Sequence, residues 1–320
     1  MRLFITSAGR RVELMDAFRS AGAAIGEKVE ILAGDSNPPM SPACRLADRA
    51  FPLPSCDDPD YAQALLRVCL SEGVRLVVPT IDTELAVLAA ARDVFENNGI
   101  RVNVSSPECV ALCRDKLATA RALAACGIDA PRSAALEDES WKDWKGPLVV
   151  KPVSGSSSNG VRLVSGAAEA AAIAPFLKGP CLVQEALSGI EYTVNCYFSN
   201  EGALCCAVPH RRMATRSGEV SKAVTERVEV LLDEAKKLEK FPHPFSGVIC
   251  FQAMLESGRA RVFEINARFG GGYPLAHFSG ARFTDWLCLE SLGRRPDFVA
   301  NWKAGVTMLR YDASLFFDKS

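Results

Sequence analysis

Over the first hundred residues, short apolar runs alternate with helix-length segments, and this alternation confines the chain to a small set of folds. Residues 2–6 read as a strand, 11–21 as a helix beyond the Ser7-Ala8-Gly9 turn, and 29–34 as a second strand ending at Asp35-Ser36-Asn37-Pro38. A helix follows near 59–72, then a strand at 75–79, a helix at 80–97 and a strand at 100–104. Apolar strands separated by helices need crossover connections, so the expected product is a stack of βαβ units around a parallel sheet. This α/β unit is expected to span residues 1–105.

Ser106-Pro107 then opens a helix, with Pro at a first-turn position, and a second helix at 116–126 ends at Gly127. The rhythm changes beyond this pair. Strands are expected at 147–152, 161–164, 181–185, 191–198 and 203–208, with a helix near 167–177. Such clustering without strict alternation indicates an α+β region. The stretch 210–221 is polar and aperiodic and reads as a mobile loop; a helix is expected at 223–240, two strands at 247–255 and 260–267, and a helix at 282–292. The expected units are 1–105, 106–190 and 191–320.

Charge and composition exclude several classes. The formal net charge of −1 gives no reason to expect a nucleic acid or a membrane surface as partner. No apolar run reaches the ~18 residues of a spanning helix, and the N-terminus lacks the long apolar region of a signal peptide. A cytoplasmic protein is the simplest expectation. The 12 cysteines are scattered among apolar neighbours, form no Cys-x-x-Cys pair and are accompanied by only 3 histidines. They read as buried thiols acting as small apolar residues rather than zinc or iron–sulfur ligands.

The chemistry concentrates in the hairpin at 247–267. Side chains alternate between faces of a strand, so Glu264, Asn266 and Arg268 share one face, with Phe263, Ile265 and Ala267 on the other. One face then presents a carboxylate, an amide oxygen and a guanidinium in series. Mg²⁺ takes oxygen ligands, commonly one or two protein groups plus substrate phosphates, and arginine pairs with phosphate oxygens. Gln252 adds an oxygen if it lies opposite Glu264, which requires an odd-numbered turn such as Ser257-Gly258-Arg259; a two-residue Ser-Gly turn would set it opposite Phe263. The bland alternative is a solvated sheet face.

Two further features precede the hairpin. Lys151 ends the apolar run 148–152 and leads into Val153-Ser154-Gly155-Ser156-Ser157-Ser158-Asn159-Gly160, whose small residues let backbone N–H groups approach phosphate. It is not a Walker-type loop, and a surface hairpin explains it about as well. The run Cys181-Leu182-Val183-Gln184-Glu185-Ala186-Leu187, followed by Glu191, offers a carboxylate and exposed backbone for a purine edge and a second carboxylate for ribose, or else consists of solvated strand ends.

In their order and spacing these features resemble the ATP-grasp superfamily, most closely its carbamoyl-phosphate-synthetase-like and biotin-carboxylase-like members, from the N-terminal βαβ units to about Leu292. The resemblance implies an ATP-grasp fold behind an N-terminal parallel-sheet (pre-ATP-grasp) domain, with ATP and Mg²⁺ (or Mn²⁺) as cofactors. By that resemblance Lys116 and Lys151 hold ATP phosphates, and residues 154–160, with Ser156, Ser157 and Ser158, close over them. Glu185 and the backbone of Ala186 and Leu187 hold adenine, and Glu191 holds the ribose. Gln252, Glu264 and Asn266 hold one or two Mg²⁺, and Arg268 stabilises the transferring phosphoryl group. Many family members carry a second acid where Gln252 stands, which leaves the number of metals open.

Substrate-facing candidates surround this set. The glycines of Phe269-Gly270-Gly271-Gly272-Tyr273-Pro274, Gly271 and Gly272 in particular, offer N–H groups to an anion or form a plain turn. His210, Arg211, Arg212 and Arg216 are either substrate contacts or ordinary surface residues. Asp82 and Glu84 either bind a substrate amine or start a helix.

The family chemistry is attack of a carboxylate on the γ-phosphate of ATP, then displacement by an amine, and it needs no covalent protein nucleophile; no Ser–His–Asp or Cys–His arrangement is evident. The expectation is a carboxylate–amine ligase for small, amino-acid-like molecules. The chain has no room for carrier or glutaminase modules, which favours a stand-alone ligase, with a homodimer allowed. The alternatives are a synthetase releasing a carbamoyl or acyl phosphate and a non-catalytic nucleotide-binding module.

Overall fold

The computed structural model describes residues 1–155, 159–299 and 301–318. Three sheets organise them. The first runs Arg49–Pro52, Glu30–Asp35, Arg2–Ile5, Leu76–Val78, Arg101–Val102, and every pairing is parallel. Its central strands are buried on both faces, as crossover helices require: Leu3, Phe4, Ile5, Leu76, Val77 and Val78 are all fully buried. The edge strand Arg49–Pro52 escapes sequence reading because it is only four residues long and mostly exposed.

The helices Pro107–Arg114 and Lys116–Ala125 lead out of this unit, capped by Ser106 and Asp115; the Asp115 carboxylate accepts from the N–H groups of Leu117 and Ala118. A small antiparallel sheet follows, ordered Ser133–Ala135, Cys181–Glu185, Leu148–Pro152, Arg162–Val164. The third, antiparallel throughout, runs Arg259–Asn266, Gly247–Glu256, Ile190–Phe198, Leu204–Arg216, Glu219–Thr225, Thr307–Leu309.

Two expectations fail on this third sheet. The polar stretch 210–221 is not a loop but most of a hairpin, Leu204–Arg216 with Glu219–Thr225, turning at Ser217 and Gly218 with φ of 51° and 77°. Register shifts on either side of Ala214 break the two-residue period, and one face lines a polar cleft, so no apolar alternation was there to read. The helix expected at 223–240 is shorter for the same reason: strand continues to Thr225 and the helix is Glu229–Lys237. The glycines after Arg268 turn at Gly271 and Gly272 into a helix at Tyr273–Ser279, with Pro274 in its first turn, which the sequence reading did not include.

A single apolar cluster joins Phe4, Leu32 and Val77 of the first sheet's unit to Cys196, Phe251 and Ile265 of the third. The cysteines behave as expected: none is in a disulfide, and most are buried. Among the described residues no helix is long and apolar enough to cross a membrane.

Candidate active site

A cleft of about 610 Å³ lies where the three sheets meet, lined among others by Asp82, Lys116, Lys151, Glu185, Glu191, Gln252, Glu264, Asn266 and Arg268. That volume is in the range of small-ligand sites.

The hairpin Gly247–Glu256 with Arg259–Asn266 supplies its floor. The turn contains two residues, Ser257 and Gly258, both at positive φ (49° and 79°), and Glu256 pairs with Arg259. By simple alternation this would turn Gln252 away from Glu264. It does not, because the register shifts between Gln252 and Ala253: Ala253 faces Val262, Gln252 faces Glu264, and Phe263 is the extra residue of a β-bulge. The pairing is the expected one, but the route is a bulge rather than an odd turn. The bulge also moves Phe263, expected in the core, onto the cleft wall, where its ring lies 5.8 Å from Lys151 Nζ. Beyond the bulge alternation resumes, so Glu264 and Asn266 face the cleft while Ile265 is buried.

Gln252 stands between two neighbours. Its amide donates to Glu264 Oε2 at 3.2 Å and accepts from Arg212 Nη1 at 2.8 Å. In this orientation the nitrogen is the atom nearest Glu264, so Gln252 acts as a bridge, and it offers oxygen to a cation there only if the amide turns over. Glu264 and Asn266 remain as oxygen donors. Among the described residues no group of three or more His, Cys, Asp or Glu forms a metal cage. This donor set suits Mg²⁺, which keeps waters and shares substrate phosphates, better than a metal that needs an all-protein shell.

Arg268 is held in place. Nη2 donates to Asp82 Oδ2 at 2.5 Å, Nη1 to the Phe269 carbonyl at 2.9 Å, and Nε is buried with no partner. Burial works against its charge most strongly, but Asp82, Cys250 and Glu264 together offset it and keep the guanidinium above its ordinary pKa. Asp82 therefore anchors Arg268 rather than standing open for an amine.

Lys151 is buried at 6% exposure, and its Nζ donates to Gln184 Oε1 at 2.9 Å. Burial pulls its pKa down to about 8, opposed by Glu264 and assisted by Lys116. A cation poised this way is stabilised by an incoming phosphate. Lys116 Nζ reaches the Gly155 carbonyl at 2.8 Å, which puts it where the small-residue run 154–160 begins. Ser156, Ser157 and Ser158 lie outside the described residues.

At the other end of the cleft, Val149, Leu163, Met254 and Phe263 make apolar walls beside Glu185, Ala186 and Leu187. The Ala186 N–H donates to Pro147 O, so it is not free to read a purine edge. Glu185 accepts through Oε1 from the Arg132 N–H and from Arg261 Nη1, both at 2.9 Å. Glu191 pairs with Arg212 Nε at 3.2 Å; burial raises its pKa, with Arg212 opposing and Glu264 reinforcing.

Other candidates fall elsewhere. Glu84 is fully buried and closes the start of the helix Asp82–Asn97, accepting from the N–H groups of Thr80 and Ile81, Ser7 Oγ and the Tyr61 hydroxyl. The helix-start alternative holds for it, and it contacts no cleft. Arg211 pairs with Glu226 at 2.8 Å, and Arg216, largely exposed, with Asp312 at 2.8 Å, so neither side chain lines the cleft. Alternation along the strand turns Arg212 inward instead. His210 is fully buried against Asn195, 3.2 Å from its Nδ2, with a pKa pushed down to about 3 by burial and Arg212, and so is neutral.

The three glycines line the cleft because nothing larger fits. A Cβ on Gly270 would lie 2.9 Å from Cys250 Sγ, one on Gly271 3.0 Å from Arg11 Nη1, and one on Gly272 2.7 Å from His210 Nε2. Arg11 and Glu219 were missed. Each sits in an otherwise unremarkable helix start or strand, and only the tertiary approach of the two units makes them neighbours at 3.0 Å.

A cleft with lysines on one side and a carboxylate–amide–arginine strand on the other has donors suited to the phosphates of a nucleotide and its Mg²⁺. The chain belongs to the ATP-grasp family: the family model for the ATP-grasp domain matches residues 113–272. A model described as the PylC-like N-terminal domain matches residues 3–103. No curated protein matches the chain by sequence. Among solved structures it is similar to the biotin carboxylase domain of Hydrogenobacter thermophilus 2-oxoglutarate carboxylase, a dimer in complex with MgADP, ADP and bicarbonate. The TM-score is 0.73 at 14% identity, over 92% of this chain and 70% of that one. It is similar to Staphylococcus aureus N5-carboxyaminoimidazole synthetase complexed with ADP (TM-score 0.70, 14% identity, 92% and 78% covered). It is similar as well to an L-amino acid ligase from Bacillus licheniformis (TM-score 0.66, 18% identity, 91% and 74% covered). At these identities the likeness speaks to the fold.

Proposed function

We propose that this chain is an ADP-forming ligase that activates a small-molecule carboxylate as its acyl phosphate and joins it to an amine, with amino-acid-like substrates. The observation that carries this reading is the convergence of Lys116, Lys151, Glu264, Asn266 and Arg268, from separate elements, on one cleft that the N-terminal unit closes with Asp82 and Arg11. Three units divide the work: 1–105 for the substrate side, 106–190 for the phosphate loop, 191–320 for the metal strand.

Lys151 and Lys116 hold the phosphates. Glu264 and Asn266 hold Mg²⁺, which supplies charge neutralisation on the phosphate oxygens. Glu191 faces the ribose, and the Glu185–Leu187 segment the base, through the Ala186 carbonyl and the Leu187 backbone. An oxygen of the acid attacks the γ-phosphorus, the bond to the β,γ-bridging oxygen breaks, and ADP leaves. Arg268, fixed by Asp82, meets the charge on the transferring group without reorganising. The amine then attacks the acyl carbon, and phosphate departs with one oxygen that came from the acid.

The test is a screen of amino-acid pairs with Mg²⁺ and ATP for ADP release, followed by mass spectrometry of the product. A condensed product and phosphate release that requires the amine support the ligase. Phosphate-bearing product without an amine would move the assignment to an acyl-phosphate synthetase, and no ADP from a broad panel would leave a non-catalytic nucleotide-binding module.

A further inference from the structure

Beyond Arg268 the cleft continues to a cluster that the nucleotide chemistry leaves unused. Glu219, at the start of the returning strand of the 204–225 hairpin, is met by three arginines. Arg11 Nη1 lies 3.0 Å from its Oε1, and Arg310 Nη1 and Arg10 Nη2 lie 3.2 and 3.7 Å from its Oε2. Arg310 Nη2 also donates to the Gly271 carbonyl. Arg11 immediately precedes the first helix of the N-terminal unit, Val12–Ile25, Glu219 comes from the third sheet and Arg310 from the C-terminal segment, so three distant parts of the chain meet here.

The charge does not balance. Three guanidinium groups share one carboxylate, a local excess of two positive charges before Arg268 is added. Arg10 is mostly exposed, but the Arg11 side chain is only 18% exposed and lines the cleft. Burial lowers the Arg11 pKa, Glu219 opposes this, and Arg268 and Arg310 lower it further. A buried guanidinium that faces two others and has a single acceptor lacks the bidentate partner its geometry favours. The floor beneath is Gly271, and any side chain there would fill the space against Arg11 and Glu219. Gly271 is three residues from Arg268, so the Cα atoms of the two residues lie within roughly 10 Å of each other, and Arg11 and Arg268 line the same cleft.

We infer that Arg11 and Arg310, over Gly271, form a subsite for a substrate carboxylate that does not react, and that Glu219 is an internal carboxylate competing for it. This rests on the ligase reading above and narrows it. The non-reacting carboxylate belongs either to the amine partner, which is then an amino acid, or to the acid, which is then a dicarboxylate. In both cases one carboxylate meets Arg268 and another meets Arg11.

The test is titration calorimetry on the full chain, with and without MgADP. One arm compares free α-amino acids with their α-amides. The other compares dicarboxylates from malonate to glutarate with their half-amides. In at least one arm the wild type prefers the free carboxylate by about tenfold or more, the size expected for a charge-assisted pair. Arg11→Gln and Arg310→Gln remove that preference. Glu219→Gln, which removes the competitor, tightens the free carboxylate several-fold, an opposite sign that general loosening of the cluster would not produce. Arg11→Lys serves where Arg11→Gln fails to fold, and it keeps part of the preference. No preference in either arm, a preference that survives both arginine variants, or weakened binding in Glu219→Gln overturns the inference. Failure of MgADP to bind would instead overturn the nucleotide reading, and the titrations without nucleotide still decide this one.

Discussion

Lys151 shows what one residue contributes to the cleft. Below about pH 8 its amine is charged even when free; above that, burial holds it neutral until a phosphate arrives. Binding of MgATP therefore takes up a proton between pH ~8 and the ordinary lysine value of about 10, and affinity falls as pH rises through that window. Calorimetry at pH 9 in buffers of different ionisation enthalpy checks this; binding without proton uptake would refute the role given to Lys151. Arg268→Ala lowers ADP release about a thousandfold or more, and Glu264→Gln removes most of the response to Mg²⁺, with circular dichroism unchanged. Retained turnover in both would sink the site. Lys151, Glu264, Asn266 and Arg268 were legible because each ends or lines a strand of readable period. Arg11, Glu219 and Arg310 were not, since only folding brings positions hundreds of residues apart together, and nothing local marks them.

At the scale of elements, the hairpin proposed to hold the metal carries the main surprise. Read outward from its two-residue turn, alternation sends Glu264 inward; read back from Asn266, it sends Glu264 to the cleft. The bulge at Phe263 reconciles the two by turning both Phe263 and Glu264 toward the cleft. Deleting Phe263 should restore a regular ladder with Gln252 still opposite Glu264. Mg²⁺ dependence of nucleotide binding should then persist, while MgADP affinity falls about tenfold through the lost apolar wall and the ring beside Lys151. Loss of the Mg²⁺ response in calorimetry would mean instead that the bulge sets the metal register. The parallel sheet was readable because buried strands are continuously apolar. The 204–225 hairpin was readable only to about residue 208, because beyond it the cleft face is polar and the register shifts twice.

At the scale of the whole molecule, the side of the cleft proposed for substrate exists only because the N-terminal unit docks on the third sheet. Asn103, 2% exposed, accepts from the Val248 N–H at 3.1 Å, and Ser105 Oγ accepts from the Ser246 N–H at 3.2 Å. Asp82 reaches across to Arg268, and Arg101 meets Glu290 at 2.7 Å beside the Tyr197 hydroxyl. Gly247 has no room for a side chain, since a Cβ would lie 2.1 Å from Asn103 Oδ1. Asn103→Ala leaves the Val248 N–H buried without its acceptor and should cost about 1–3 kcal/mol, read as a lower melting temperature by scanning calorimetry. An unchanged melting temperature would show that the contact is not needed to hold the units together. None of these contacts has a sequence signature, which is why the units could be outlined from the sequence but not their docking.

The central claim is that a substrate carboxylate attacks the γ-phosphorus in this cleft. It is tested most directly by following the carboxylate oxygens. With an acid labelled with ¹⁸O in its carboxylate, turned over with unlabelled ATP and amine, mass spectrometry of the released phosphate should show one ¹⁸O per molecule. Phosphate that carries no ¹⁸O, formed alongside the condensed product, would contradict an acyl-phosphate route and the account built on it.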